Sequence, residues 1–201
     1  MEFSDRRLQK LVSLPTLKNA YYGLFHSILS YGILLWGHSS YNDKLFILQK
    51  KAIRILDHLP YNAHAKQSFI KLDILTFPSM FILHCLLYIK KNPDQYTSHS
   101  QIHHYETRNR DNLVLNRNRV NASRNGPSIH AIPMYNKIPP SIREMPLKPF
   151  KIKITEFFFK KTSVLHCGGF SFLRFRWNID RDLYVGTYLI DTCLYFRFIF
   201  Y

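Results

Sequence analysis

Acidic residues are scarce in this chain: 13 Asp and Glu stand against 28 Lys and Arg in 201 residues, a formal net charge of +15. That imbalance excludes a self-neutralised surface and favours polyanionic partners, nucleic acid or anionic lipid. Cysteine is rarer still. Cys85, Cys167 and Cys193 are an odd number with no close spacing, which excludes a disulfide framework and a paired-cysteine metal site. An intracellular setting, nucleus or cytoplasm, is therefore expected. The chain opens MEFSDRRLQK, with mixed charges and no apolar core, so no secretion signal is expected.

Catalytic constellations are absent as well. Asp180 and Asp182 flank Arg181 and read as a turn, and Gly168 and Gly169 are followed by Phe170 where a phosphate loop needs Lys and Ser or Thr. His99, His103 and His104 lie close in sequence, but no cysteine joins them to complete a zinc set. No metal and no cofactor are expected. Residues 19–42 carry no Asp, Glu, Lys or Arg and are long enough to span a bilayer. His26, Ser27, Ser30, His38, Ser39 and Ser40, with Gly23 and Gly32, would give that span an irregular polar face, which counts against it. A membrane-associated basic helical protein anchored there is the rival reading, and a remnant that never folds is a third.

What the chain does have is a 46% apolar share, enough for a core. After Pro15, apolar residues Leu17, Ala20, Tyr21, Leu24, Phe25, Ile28, Leu29 and Tyr31 recur at helical spacing, predicting a helix buried on two sides. Gly32 and Gly37 bracket Ile33 to Trp36 and end it, and Asn42 or Asp43 caps the next helix. There Leu45, Leu48, Ala52 and Ile55 are expected to face inward, leaving Lys50, Lys51 and Arg54 as a basic stripe. A short helix over 63–72 and an apolar one over 79–91, stopped by Asn92 and Pro93, follow. Cys85, inside that last run, reads as a small core side chain.

Residues 94–126 lose periodicity and gain Arg108, Arg110, Arg117, Arg119 and Arg124, with Tyr105 among them. This predicts a basic irregular linker able to fold over nucleic acid, arginines on phosphates and Tyr105 stacked on an unpaired base; the plain alternative is a solubilising connector. Two more helices are expected over 127–135 and 148–161, with Lys151 and Lys153 on a second basic surface. Residues 162–201 turn aromatic and β-branched, suggesting short strands. The fold class is thus mostly α, in four segments: 1–93, 94–126, 127–161 and 162–201.

Four stretches occur in a telling order: AYYGLFHSILSYGILLWG from Ala20, LFILQKKAIRIL from Leu45, HYETRNRDNL from His104 and YNKIPPSI from Tyr135. Over residues 8–161 the chain resembles the C-terminal region of reverse transcriptases from jockey-like non-LTR retrotransposons. Tyr105, Thr107, Arg108 and Asn109 match that family's Tyr-x-Thr-Arg-Asn string. Tyr135, Asn136, Pro139 and Ile142 match its Tyr-Asn-x-Leu-Pro-x-x-Ile string, with Ile138 in place of Leu. The resemblance implies a helical thumb that grips the RNA and DNA of a template-primer duplex. Tyr21, Tyr31, Gly32, Trp36 and Gly37 would serve packing, and Gln49, Lys50, Lys51 and Arg54 would face nucleic acid. The Tyr/Phe-x-Asp-Asp pair that holds catalytic magnesium in that family occurs nowhere in the sequence. The implied role is therefore a non-catalytic fragment of an RNA-directed DNA polymerase, whose partners would include the missing palm and fingers. Without them an apolar surface would be left exposed.

Overall fold

A computed structural model describes residues 12–39, 41–115 and 127–161. Of these, 67% lie in helices, and the one β feature is an isolated antiparallel bridge between Ser98 and Leu113, so the described chain is mostly α. The strands suggested for 162–201 lie outside the described residues, as do Arg117, Arg119 and Arg124.

Pro15 sits in the first turn of α1 (Leu14–Ala20), which runs through a π-helical segment (Tyr21–His26) into α2 (Ser27–Ser30). The inward positions Leu17, Tyr21, Phe25, Leu29 and Ile33 keep a strict four-residue spacing. On an α-helix that spacing drifts about 40° per step, and the wider π turn takes part of the drift back. Only this side is buried. Leu24, Ile28, Tyr31 and Leu35 are 57%, 64%, 85% and 71% exposed, so the helix expected to be covered on two sides carries an open apolar stripe.

Gly32 ends α2 in the left-handed region at φ 60°, a conformation that disfavours any side chain. Trp36 Nε1 then donates to Tyr31 O at 2.8 Å across the break, and Ile33–Trp36 forms the single turn α3. At Gly37 a Cβ would lie 2.2 Å from Phe81 Cδ2 and 2.3 Å from Ile33 O. Glycine here is what lets the next layer approach.

α4 (Asn42–Leu56) follows, capped by the backbone at Tyr41, not by the expected Asn42 or Asp43. Its buried residues are Asn42, Gln49, Ile53, Ile55 and Leu56, while Leu48 is 44% exposed. The helix is rotated by about one residue from the expected phase. Two polar residues lie on its inner face and misled the apolar pattern. α5 (Lys66–Lys71) leads to α6 (Phe77–Lys91), which begins where Thr76 Oγ1 accepts from Ser79 N and stops at Asn92.

α6 is the centre of the molecule. Phe77, Met80, Phe81, Ile82, Leu83, Cys85, Leu86 and Ile89 are all buried, so it needs packing partners on several sides. They are α3, α4, α8 (Pro127–Asn136) and α10 (Leu147–Lys161), the last contributing Phe150, Ile154 and Phe158 at four-residue spacing. Each fully buried side chain of this kind contributes about 1.5–3 kcal/mol. A second cluster joins Leu17, Tyr21, Ile53, Leu56, Phe69, Leu72 and Ile74. Burial pushes the Cys85 thiol up to about 12, leaving it inert, as expected of a core cysteine.

Candidate nucleic-acid interface

The first basic group is carried by α4. Gln49 does not belong to it, contrary to the role the resemblance implied. It is fully buried: Nε2 donates to Tyr21 Oη at 3.0 Å and Leu75 O at 2.9 Å, and Oε1 accepts from Phe77 N at 2.7 Å. Gln49 is an internal clamp joining the π segment, α4 and α6. Burial, only partly offset by this hydrogen bond, pushes the Tyr21 hydroxyl up to about 12. Arg54 is half-buried, with Nε donating to Ala63 O at 2.7 Å, so part of its guanidinium holds the turn after α4.

Lys50 and Lys51 are half-buried, each beside a ring: Lys50 Nζ is 4.1 Å from the centre of Phe46, and Lys51 Nζ 5.7 Å from that of Tyr61. One residue was missed. Lys44 Nζ lies 5.1 Å from the Tyr41 ring, and Tyr41 and Tyr61 are 64% and 57% exposed. The Tyr-x-x-Lys spacing of 41 and 44 is the signal that would have found it.

The second group lies on the segment expected to be an irregular linker. Its path is irregular, yet it closes on itself. Ser98 and Gln101 form a capping box for the single turn α7 (His99–Ile102). His99 N donates to Asn112 O at 3.0 Å, Ser100 N to Arg110 O at 2.9 Å and Val114 N to Thr97 O at 2.9 Å. Asn136, at the end of α8, pins the loop from outside, accepting from Leu113 N and donating to Leu113 O, both at 2.9 Å. Arg143, on α9 (Pro140–Arg143), adds bonds to Asp111 O and Asn112 Oδ1. The stretches 104–113 and 135–142 are therefore in direct contact through Leu113 and Asn136. Tyr105 and Arg108 project from this pinned loop, Tyr105 78% exposed. Arg110 pairs with Glu106 at 3.2 Å, an exposed contact that partly answers its charge.

Lys151 and Lys153 are exposed on α10 but flank the buried Phe150 and Ile154 on either side, about 160° apart around the helix, so they do not share one face. α4 and α10 both pack on α6. Among the described residues no group of three or more His, Cys, Asp or Glu could hold a metal ion. No helix among them is long and apolar enough to cross a membrane; the uncharged run 19–42 is cut at Tyr31 and Gly32. No protein-family model, curated protein or solved structure matches this chain.

Proposed function

We propose that this chain is the template-primer-binding, non-catalytic part of a retrotransposon RNA-directed DNA polymerase, holding RNA–DNA hybrid or single strands without reading sequence. The observation that carries the reading is two Lys and Tyr pairs along α4 and its flanks, exposed Lys44 beside exposed Tyr41 and half-buried Lys51 beside exposed Tyr61. Each sets a phosphate-binding charge beside a ring on which a base can stack, the combination that sequence-independent binding of single strands uses. Tyr105 and Arg108 add an exposed ring and an exposed charge on the pinned loop. The open stripe of Leu24, Ile28, Tyr31 and Leu35 suits a helix that packs against a larger polymerase body.

The test is binding of a labelled RNA–DNA hybrid at rising salt. A log-log slope of about four or more is expected, and Lys44→Glu with Lys51→Glu should lower it by about two, since each phosphate contact contributes close to one unit. Tyr105→Ala should weaken single-strand binding about tenfold, within the range for loss of one stacked base. A folded sample without salt-dependent binding would overturn the proposal.

A further inference from the structure

The two ends of the pinned loop leave a space against α8. Ser98 bridges Leu113, and Val114 N donates to Thr97 O at 2.9 Å, so these ends make one wall. The N-terminal half of α8 makes the other, through Ser128, Ile129 and Ile132. Between them lies a partly open cavity of about 240 Å³. Its apolar lining, Val114, Ile129 and Ile132, meets a hydroxyl pair, Tyr96 Oη and Ser128 Oγ, 3.1 Å apart. One of these hydroxyls donates to the other, which leaves the second proton and the remaining lone pairs for a ligand. Gln95, on the 3₁₀ turn Pro93–Gln95, adds an amide. Burial raises the Tyr96 hydroxyl above its ordinary value, so it stays protonated at neutral pH.

Size and chemistry restrict the occupant. Drug-sized ligands fill about 300–1,000 Å³, so this space takes one ring system and not a whole nucleotide. None of the residues lining it is charged, so a phosphate would find no counter-charge inside. An aliphatic side chain would leave the hydroxyls and the amide without partners. A heterocycle with apolar faces and an edge of donors and acceptors would satisfy both kinds of lining.

We propose that this cavity receives one unpaired nucleobase, its faces against Val114, Ile129 and Ile132 and its edge on Tyr96, Ser128 and Gln95. The inference rests on the proposed function, in which that base belongs to a bound single strand whose sugar and phosphates stay outside. Hydroxyl protons rotate to suit either kind of base edge, so holding a base here does not require reading sequence.

The experiment follows the methyl resonances of Val114, Ile129 and Ile132 in the full chain while each of the four ribonucleosides is added. Nucleosides carry no phosphate, so this readout is independent of binding at Lys44 and Lys51. Saturable shifts are expected, and so is their loss in Thr97→Trp, whose indole would fill the space; Thr97 is exposed, and circular dichroism checks that the fold is kept. Tyr96→Phe, which removes a hydroxyl and no bulk, should weaken nucleoside binding about fivefold. With a labelled single strand, Thr97→Trp should weaken binding about tenfold at unchanged salt slope, because a held base and no phosphate contact is lost. Shifts that do not saturate, or that survive in Thr97→Trp, would overturn the base site, while salt-dependent hybrid binding would still uphold the proposed function. Saturable nucleoside shifts without hybrid binding are the opposite result: the proposed function falls and the cavity keeps its nucleobase.

Discussion

Gln49 has no water to fall back on, so every polar atom it carries must be answered by protein. Truncation to alanine would strand the Phe77 N–H and the Leu75 carbonyl at the junction of three helices. Gln49→Ala is expected to lose about 2–4 kcal/mol, two buried groups left unpaired at ~1–2 kcal/mol each, read as a lower midpoint in urea at unchanged slope. Gln49→Glu should lose at least as much, because it would bury a charge in the same place. Asp57 is a contrasting polar residue. Burial would raise its pKa, but bonds from Lys71 at 2.5 Å and Ser68 at 2.7 Å, with the charges of Lys71 and His58, outweigh burial and lower it. The carboxylate ties α5 to the turn after α4.

At the scale of elements, the loop 97–114 is held from outside by two side chains, Asn136 and Arg143, and Asn136 makes the paired bonds to Leu113. Removing the Asn136 amide should release the loop without unfolding the bundle, because α8 keeps Ala131, Ile132 and Met134 in the core. Asn136→Ala is accordingly expected to raise amide exchange at Leu113 and Val114 by roughly tenfold, the effect of about 1.4 kcal/mol, with little change at Phe81 or Leu86. The longer helices were legible in the sequence; the single turns α7 and α9 were not. The breaks at Gly32 and Asn92, the apolar run of α6 and the four-residue repeat of α10 declare themselves through spacing and stop signals. The phase of α4 was not legible, because Gln49 becomes a core residue only when the distant backbone of Leu75 and Phe77 arrives to satisfy it, and Asn42 only through the turn that brings the Gly37 carbonyl to its amide. The order of the loop was hidden for the same reason, since its bonds run from backbone to a side chain 23 residues away. Of the candidate site, Lys50 and Lys51 were legible as charges; Lys44 was missed, and the aromatic partner Tyr61 was not legible, being supplied by the turn beyond the helix.

For the whole molecule, half-buried histidines set the response to acid. His26, His84 and His130 all lie below their ordinary value of 6.5, chiefly through burial, with His38, stacked on His130 at 4.9 Å, adding to the effect there. Below 6.5 the unfolded chain takes up protons that the folded chain resists, so their contribution is complete above that value and is lost as pH falls. Asp57, whose pKa is also lowered, acts with the same sign further down. The melting temperature is expected to fall by several degrees between about pH 7.5 and about pH 5, the excess of positive charge pushing the same way. A flat or rising profile would contradict this account.

Phe25 and Phe46 touch both hydrophobic clusters, and so couple two halves that would otherwise melt separately. Cooperativity between the two clusters passes through these two rings together with the Gln49 clamp. Phe46→Ala should therefore do more than remove about 3–5 kcal/mol of packing: the single unfolding transition should broaden toward two steps, with fluorescence and circular dichroism no longer tracing one curve. The half built on Phe69 and Leu72 would give way before the half built on α6.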